Sequence, residues 1–188
     1  SPLLSELLDG KVSQLEIMEA SDGDGDGDTS FVDLIRQEVK ELLDLASTLD
    51  AHDPKAEAFK RLITEKGEFA NNKVLVFTTF RHTLAYLERH ATSTGLRIGV
   101  VHGGVADEER ADLRRRFALN KNDPSAIDVL LSSEVGCEGL DFQFCDMLVN
   151  YDLPWNPMRI EQRIGRIDRY GQMSETIAIA NLVTPGTV

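Results

Sequence analysis

From Lys73 onward the chain repeats one alternation: a short run of apolar, β-branched and aromatic residues, then a stretch with helical spacing. "KVLVFTTF" (73–80) precedes a helical stretch over 81–94, and "RIGVVHGG" (97–104) precedes "DEERADLRRRFAL" (107–119). "IDVLLSS" (127–133) and "DMLVNYDLP" (146–154) lead to "PMRIEQRIGRIDRY" (157–170), and "TIAIANLVT" (176–184) closes the series. Strands that are apolar throughout, with helices between them, must be covered on both faces, so the pattern predicts an α/β fold with a parallel sheet. Ligands of such sheets bind beyond the carboxyl ends of the strands. The polar residues fall at those ends: Thr78 and Thr79, His102 to Gly104, Ser132 and Ser133, and Asp152.

The chain before Asn71 reads differently. "FVDLIRQEVKELLDLASTL" (31–49) carries apolar residues at three- and four-residue steps, the mark of an amphipathic helix. "DPKAEAFKRLITEKG" (53–67) has Asp53 as N-cap, Pro54 at the first helical position and Gly67 at the end. These features divide the chain into an acidic linker or the start of an insertion (1–30), a helical extension packed on the lobe (31–70) and the α/β lobe itself (71–188). Within the first part, Asp22, Asp24, Asp26, Asp28 and Asp33 lie in "DGDGDGDTSFVD". Four of them match positions 1, 3, 5 and 12 of a helix–loop–helix calcium loop, with Gly27 at position 6. Position 12 is an aspartate, shorter than the usual bidentate glutamate, and position 8 is Thr29, so a flexible acidic linker is the preferred reading.

The net charge is -12, but it is unevenly placed. Residues 1–72 hold 17 acidic and 7 basic side chains, whereas residues 73–188 hold 15 and 13. Overall acidity argues against long-range attraction to nucleic acid and leaves room for a local basic groove on the second part. Cys137 and Cys145 are the only cysteines; they lack CxxC spacing and indicate no zinc site. Reduced thiols, no apolar run of membrane-spanning length and no basic leader predict a cytoplasmic protein.

The most unusual segment is "EQRIGRIDRYGQ" (161–172), with arginines at 163, 166 and 169. On a continuous helix, three-residue steps shift side chains by about 60°, so the three would share one face and could hold an anion. The sequence contains no G-x-x-x-x-G-K-[ST] loop to cradle a triphosphate. "DEER" (107–110) opens a helix, where acidic residues suit the positive end of the dipole, rather than forming a metal box. Arginines can instead act as fingers, stabilising the charge that develops on a phosphoryl group bound by a neighbouring domain.

Four stretches, in order, resemble motifs of the C-terminal lobe of superfamily 2 helicases and translocases. "QRIGRIDR" is similar to motif VI, Q-x-x-G-R-x-x-R, with Gln162, Gly165, Arg166 and Arg169 in place. "SSEVGCEGLD" is similar to motif V, with Ser133, Glu134, Gly139 and Asp141, while "VLVFTTF" resembles motif IV and "VVHGG" motif IVa. "EGLDFQ", "YDLPWNP" and "RYGQ" narrow the resemblance to SWI/SNF-type double-stranded DNA translocases, nearest their bacterial branch, which includes an ATPase that recycles RNA polymerase.

The resemblance implies a RecA-like lobe without its own phosphate loop, paired with an N-terminal RecA-like lobe that binds most of ATP and Mg²⁺. It implies an ATP-driven motor on duplex DNA, with RNA polymerase as one candidate partner, and a lobe that is inactive alone. Arg166 and Arg169 become the catalytic fingers, with Gln162, Gly139 and Asp141 toward the nucleotide; Arg163, at a position the motif leaves free, is grouped with them, a plain helix-face role being its alternative. Thr79, Phe80, Arg81, His102, Gly103, Ser133, Glu134 and Trp155 fall toward nucleic acid. Several positions keep a plainer alternative: Phe80 and Trp155 as core, and Asp141 as a cap. Arg114 to Arg116 read as a solvated helix face, with a phosphate contact as the alternative. An RNA helicase lobe of the same superfamily and a non-catalytic partner-binding module are the rival functions.

Overall fold

The computed structural model describes residue 40 and residues 53–184. The chain divides into two compact units, Ser1–Asp53 and Pro54–Val188, and the second of these is the α/β lobe. The calcium-loop reading at Asp22, Asp24, Asp26, Asp28 and Asp33 lies outside the described residues, as does the 31–49 helical pattern apart from the helical Lys40.

The lobe begins with α1, Pro54–Gly67. Proline at the first turn costs no hydrogen bond, and Ala56, Phe59 and Ile63, at helical steps, are its buried face. Lys66 near its end pairs with Asp146 at 2.8 Å. Five strands follow: β1 Val74–Phe77, β2 Ile98–Val101, β3 Val129–Ser132, β4 Met147–Asn150 and β5 Ala178–Asn181. They form one sheet in the order β2-β3-β1-β4-β5, and every pair is parallel. The helices α2 (Arg81–Thr92), α3 (Asp107–Ala118) and α4 (Pro157–Ile164) supply three of the four connections between these strands, while β3 passes to β4 through a loop without an α-helix. β1 and β3 are buried at every residue, as central strands covered on both faces should be, whereas the edge strand β5 is mostly exposed.

The order places the site. From β1 the chain builds outward through β2 and returns to β3, then crosses β1 to reach β4 and β5. The carboxyl ends of β3, β1 and β4 therefore lie side by side where the direction of winding reverses, which is where open α/β sheets hold ligands. Beneath them sits the core, with Leu75, Phe77, Val101, Phe117, Leu130, Phe142, Leu148 and Ile167 all buried. The Phe117 ring meets Phe142 and Phe144 edge-on, at 5.8 and 5.4 Å between centroids.

The opposite, amino edge is fastened by an ion-pair network. Arg97 donates through Nη2 and Nε to Asp128 at 2.6 and 2.9 Å, and Asn72 donates to the same carboxylate at 2.6 Å. Burial alone would raise the Asp128 pKa; the hydrogen bonds from Arg97 and Asn72 outweigh it and hold the carboxyl below its ordinary value. Lys73, buried beside them, donates to the Ile127 carbonyl at 2.6 Å, and its burial lowers its pKa. The thiols of Cys137 and Cys145 are fully buried, which pushes both up to about 12 and removes them as nucleophiles.

One expected element is shorter than its pattern. α4 ends at Ile164, with Gly165 as its C-cap, and residues 165–170 form turns. The Arg166 carbonyl accepts from the Phe142 amide at 2.8 Å, and Ile167 is fully buried in the core cluster. The helix stops at Gly165, and Arg163 is buried while Arg169 is exposed, so the three arginines do not form a stripe on one face.

Candidate functional site

Asp152, just past β4, organises the ends of the central strands. Its carboxylate accepts from the Thr78 hydroxyl, from the Thr79 amide at 3.0 Å and from the Thr79 hydroxyl at 2.8 Å. The β1 and β4 ends are thus joined side chain to backbone. Phe80 and Arg81 follow immediately and are exposed.

Arg163 lies behind this junction. Only 2% of its side chain meets solvent. Its Nη1 donates to the Asn150 side chain at 2.9 Å and to the Asp152 carbonyl at 2.8 Å, and its Nη2 donates to Glu134 at 2.9 Å. The guanidinium also stacks over Phe77, 5.3 Å from the ring centroid. A buried charge persists only when paired and hydrogen-bonded; both terminal nitrogens are so held, and Nε is buried without a partner. Arg163 was expected toward the nucleotide; it is instead an internal tie between α4 and the ends of β3 and β4. Glu134, expected toward nucleic acid, accepts from both Arg163 and Arg159, the latter at 2.9 Å.

After β3 comes the loop Ser133–Asp141, which contains a short 3₁₀ turn at Val135–Cys137. Ser133 is nearly buried; its amide donates to the Val101 carbonyl, and its hydroxyl accepts from the Gly136 amide at 3.2 Å. Gly136 sits so close to β2 that an added Cβ would collide with the Val101 carbonyl. Gly139 has φ of +77°, the left-handed region that glycine enters without strain. Arg110 and Arg114 of α3 reach this loop and donate to its carbonyls. Arg166 donates to the Leu140 carbonyl at 3.4 Å, and Arg169 is ion-paired with Asp141.

Two regions emerge along the edge. Thr79, Arg81, Gly103, Ser133, Glu134 and Arg159 line an open groove of about 490 Å³. A neighbouring groove of about 380 Å³ is lined by Phe80, Asp152, Leu153 and Trp155 and shares Thr79 and Arg159 with the first. His102 turns its ring back on its own turn, where Nδ1 accepts from the Gly104 amide at 3.0 Å. Trp155 is fully exposed and Phe80 largely so, which overturns the core-packing alternative for both. On the α4 side, Gln162, Arg163 and Arg166 border a cavity of about 40 Å³, room for little more than water and far too small for a nucleotide. Gln162 and Arg169 are exposed, and Arg166 is half-buried.

Of Arg110, Arg114 and Arg159, only Arg114 has a reading in the sequence, as part of a solvated helix face. The four-residue step from 110 to 114, on the face that carries Phe117, was the available signal for the first two. Arg114 is accordingly not part of a solvated face, whereas Arg115 pairs with Asp112 at 2.5 Å in solvent. The first turn of α3 holds Asp107, Glu108 and Glu109, in keeping with the helix dipole. Among the described residues, no group of three His, Cys, Asp or Glu side chains could hold a metal ion, and no helix is long and apolar enough to cross a membrane.

Comparison with known proteins agrees with this layout. Residues 54–171 match the family described as "Helicase conserved C-terminal domain". The uncharacterized ATP-dependent helicase YqhH of Bacillus subtilis is 40% identical over 118 residues, 63% of this chain and 20% of YqhH. RNA polymerase-associated protein RapA of Vibrio campbellii is 40% identical over 112 residues, 59% of this chain and 11% of RapA. The chain thus spans a fifth or less of the length of these curated relatives. Among solved structures, the helicase domain of Pyrococcus furiosus Hef superposes with a TM-score of 0.65 at 25% identity, covering 98% of this chain and 37% of that one. The C-terminal part of the Fun30 ATPase domain superposes at 0.60 with 24% identity, covering 74% and 46%, a likeness of fold. With well over half of the chain matched and the parallel RecA-like sheet in place, the chain belongs to the helicase conserved C-terminal domain family.

Proposed function

We propose that this chain is the C-terminal motor lobe of an ATP-driven, SWI/SNF-type duplex-DNA translocase. The observation that carries the reading is the position of Arg166 and Arg169. They leave the end of α4 at the carboxyl edge, outside the buried network that holds Arg163, and both contact the loop that also borders the open groove. A cation placed there can meet the terminal phosphate of ATP held by an N-terminal RecA-like lobe, while the groove beside it takes a nucleic-acid backbone.

In this reading Arg166 and Arg169 supply charge to the developing phosphoryl transition state, with Gln162 beside them; the planar guanidinium suits phosphate oxygens. Asp141 and Gly139 stand between nucleotide and track. Arg169 exchanges Asp141 for phosphate as the lobes close. Thr79, Phe80, Arg81, His102, Gly103, Ser133 and Trp155 face the track; contacts to phosphates position it without reading sequence. In this reading Mg²⁺ and the triphosphate belong to the other lobe, and this lobe alone does not turn over ATP. RapA, by its name, associates with RNA polymerase; a polymerase is accordingly a candidate partner here.

The test is ATP hydrolysis by the full-length protein with duplex DNA, with RNA and with neither. Duplex DNA is expected to stimulate turnover. Arg166→Ala and Arg169→Ala are each expected to lower it on the order of 10³-fold, with KM for ATP little changed. Wild-type turnover in both variants removes the finger assignment, and stimulation by RNA alone moves the protein to the RNA helicase branch.

A further inference from the structure

Arg159 and Arg163 tie the start of the loop Ser133–Asp141 through Glu134, and its remainder, Gly136–Asp141, is held from two directions by four further arginines. From α3, Arg110 spans two carbonyls, donating through Nε to Gly136 at 3.1 Å and through Nη2 to Glu138 at 2.5 Å. One turn later Arg114 donates through Nε to the Asp141 carbonyl at 2.9 Å. From beyond α4, Arg166 reaches the Leu140 carbonyl at 3.4 Å and Arg169 the Asp141 carboxylate.

The two pairs differ in how firmly they are mounted. Arg110 and Arg114 lie four residues apart, on the face of α3 that ends in the fully buried Phe117. The Arg110 side chain is only 19% exposed and is steadied by Asp107 at 3.1 Å; Arg114 lies over the Phe144 ring, 5.9 Å from its centroid. The second pair sits on turns. Arg166 makes one long bond, and Arg169 is nearly half exposed. One pair is built into the lobe and the other is releasable.

We infer that Arg110 and Arg114 are positioning residues for the motor: they hold the loop by its carbonyls so that it keeps its shape when Arg166 and Arg169 turn away toward a phosphate. This inference rests on the translocase reading. A loop containing Gly136 and Gly139 has little stiffness of its own. If all four let go at once, residues 136–141 would come loose from the groove-lining start of the loop, which Arg159 and Arg163 still hold through Glu134. Occupancy of the groove would then no longer be felt at the nucleotide. With the α3 pair in place, the loop transmits rather than collapses.

The experiment uses the full-length protein carrying Arg110→Ala, Arg110→Lys or Arg114→Lys. ATP turnover is measured with and without saturating duplex DNA, alongside amide hydrogen exchange across residues 133–141. Arg110→Ala is expected to reduce DNA-stimulated turnover about tenfold, with the DNA-free rate and KM for ATP changed less than about twofold. Loop amides exchange faster while those of β1 and β3 do not. Arg110→Lys retains charge but cannot span two carbonyls, so it falls between Ala and wild type; Arg114→Lys behaves likewise. If the DNA-free and DNA-stimulated rates fall together, or the loop exchanges as in wild type, the positioning role is wrong. A stimulated wild type and an Arg110→Ala variant with the same stimulation overturn only this inference. A wild type that duplex DNA does not stimulate overturns the translocase reading and this inference with it.

Discussion

Arg163 and Glu134, 29 residues apart in the chain, meet at 2.9 Å with the arginine 2% exposed. The pair joins α4 to the end of β3, and through Asn150 and Asp152 the same guanidinium joins both to β4. Asn150 in turn donates to Asn181 of β5 at 2.8 Å, so one buried arginine links most of the carboxyl edge. Removing it leaves Glu134 and Asp152 short of a partner in a partly dehydrated place. Arg163→Ala is expected to cost about 3–5 kcal/mol of unfolding free energy, read from urea denaturation. Lysine at 163 recovers little of this, because one ammonium cannot reproduce the forked contacts.

Arg169 and Asp141 behave oppositely. Both are substantially exposed, 45% and 34%, so solvent screens the pair and its structural worth is at most about 1 kcal/mol. Arg169→Ala is therefore expected to unfold within about 1 kcal/mol of wild type while losing ATP turnover in the full-length protein. A large loss of stability would instead make Arg169 a structural residue.

The two loop glycines separate steric from conformational need. Alanine at Gly136 would drive a methyl group into the Val101 carbonyl oxygen, a backbone atom that cannot step aside cheaply. The expected cost is about 3 kcal/mol, with faster exchange across the loop. Alanine at Gly139 meets nothing within 4 Å and bears only the strain of its φ of +77°, about 1–2 kcal/mol. Equal costs at both positions would refute the close approach to β2.

Trp155 is fully exposed, so Trp155→Ala should leave stability within about 0.5 kcal/mol. On the proposed translocase reading its effect belongs to the groove: affinity for duplex DNA is expected to fall, in a filter-binding or anisotropy titration at fixed salt. An unchanged affinity removes Trp155 from the track face.

Asp128 sets an acid limit. Its folded pKa lies below the ordinary carboxylate value because of Arg97 and Asn72, despite burial. A carboxyl depressed on folding contributes stability that is full above its unfolded pKa and is lost as pH falls through the folded one. Unfolding free energy should therefore drop below about pH 4, and the drop should be smaller in Asp128→Asn. That variant is less stable at pH 7 by about 3 kcal/mol, since Arg97 keeps its partial burial and loses its charge partner.

Strand placement was legible because local pattern and burial agree. Runs such as "VLVF" and "VLLS" have no polar face to show water, so only the middle of a covered sheet accepts them. The ends of α1 and the start of α3 were legible for a similar reason, since Pro54 and the acidic first turn act within a few residues. The length of α4 was not, because the helical spacing of its arginines continues through Arg169 while the chain does not. Past Gly165 the chain joins a segment far earlier in the sequence, where the Phe142 amide donates to the Arg166 carbonyl and Ile167 enters the same buried cluster.

The amino-acid order alone determined an all-parallel α/β lobe, the polar residues at its carboxyl edge and the motif positions of Gln162, Arg166 and Arg169. Only the tertiary structure decided which arginines are held inside and which are presented. Arg163 is committed to Glu134 and Asp152, Arg110 and Arg114 to loop carbonyls, and Arg166 and Arg169 are left at the rim. The physical reason is that a guanidinium carries the same charge wherever it stands. Its role is fixed by the partners and the water around it, and those are supplied by segments far away in the chain.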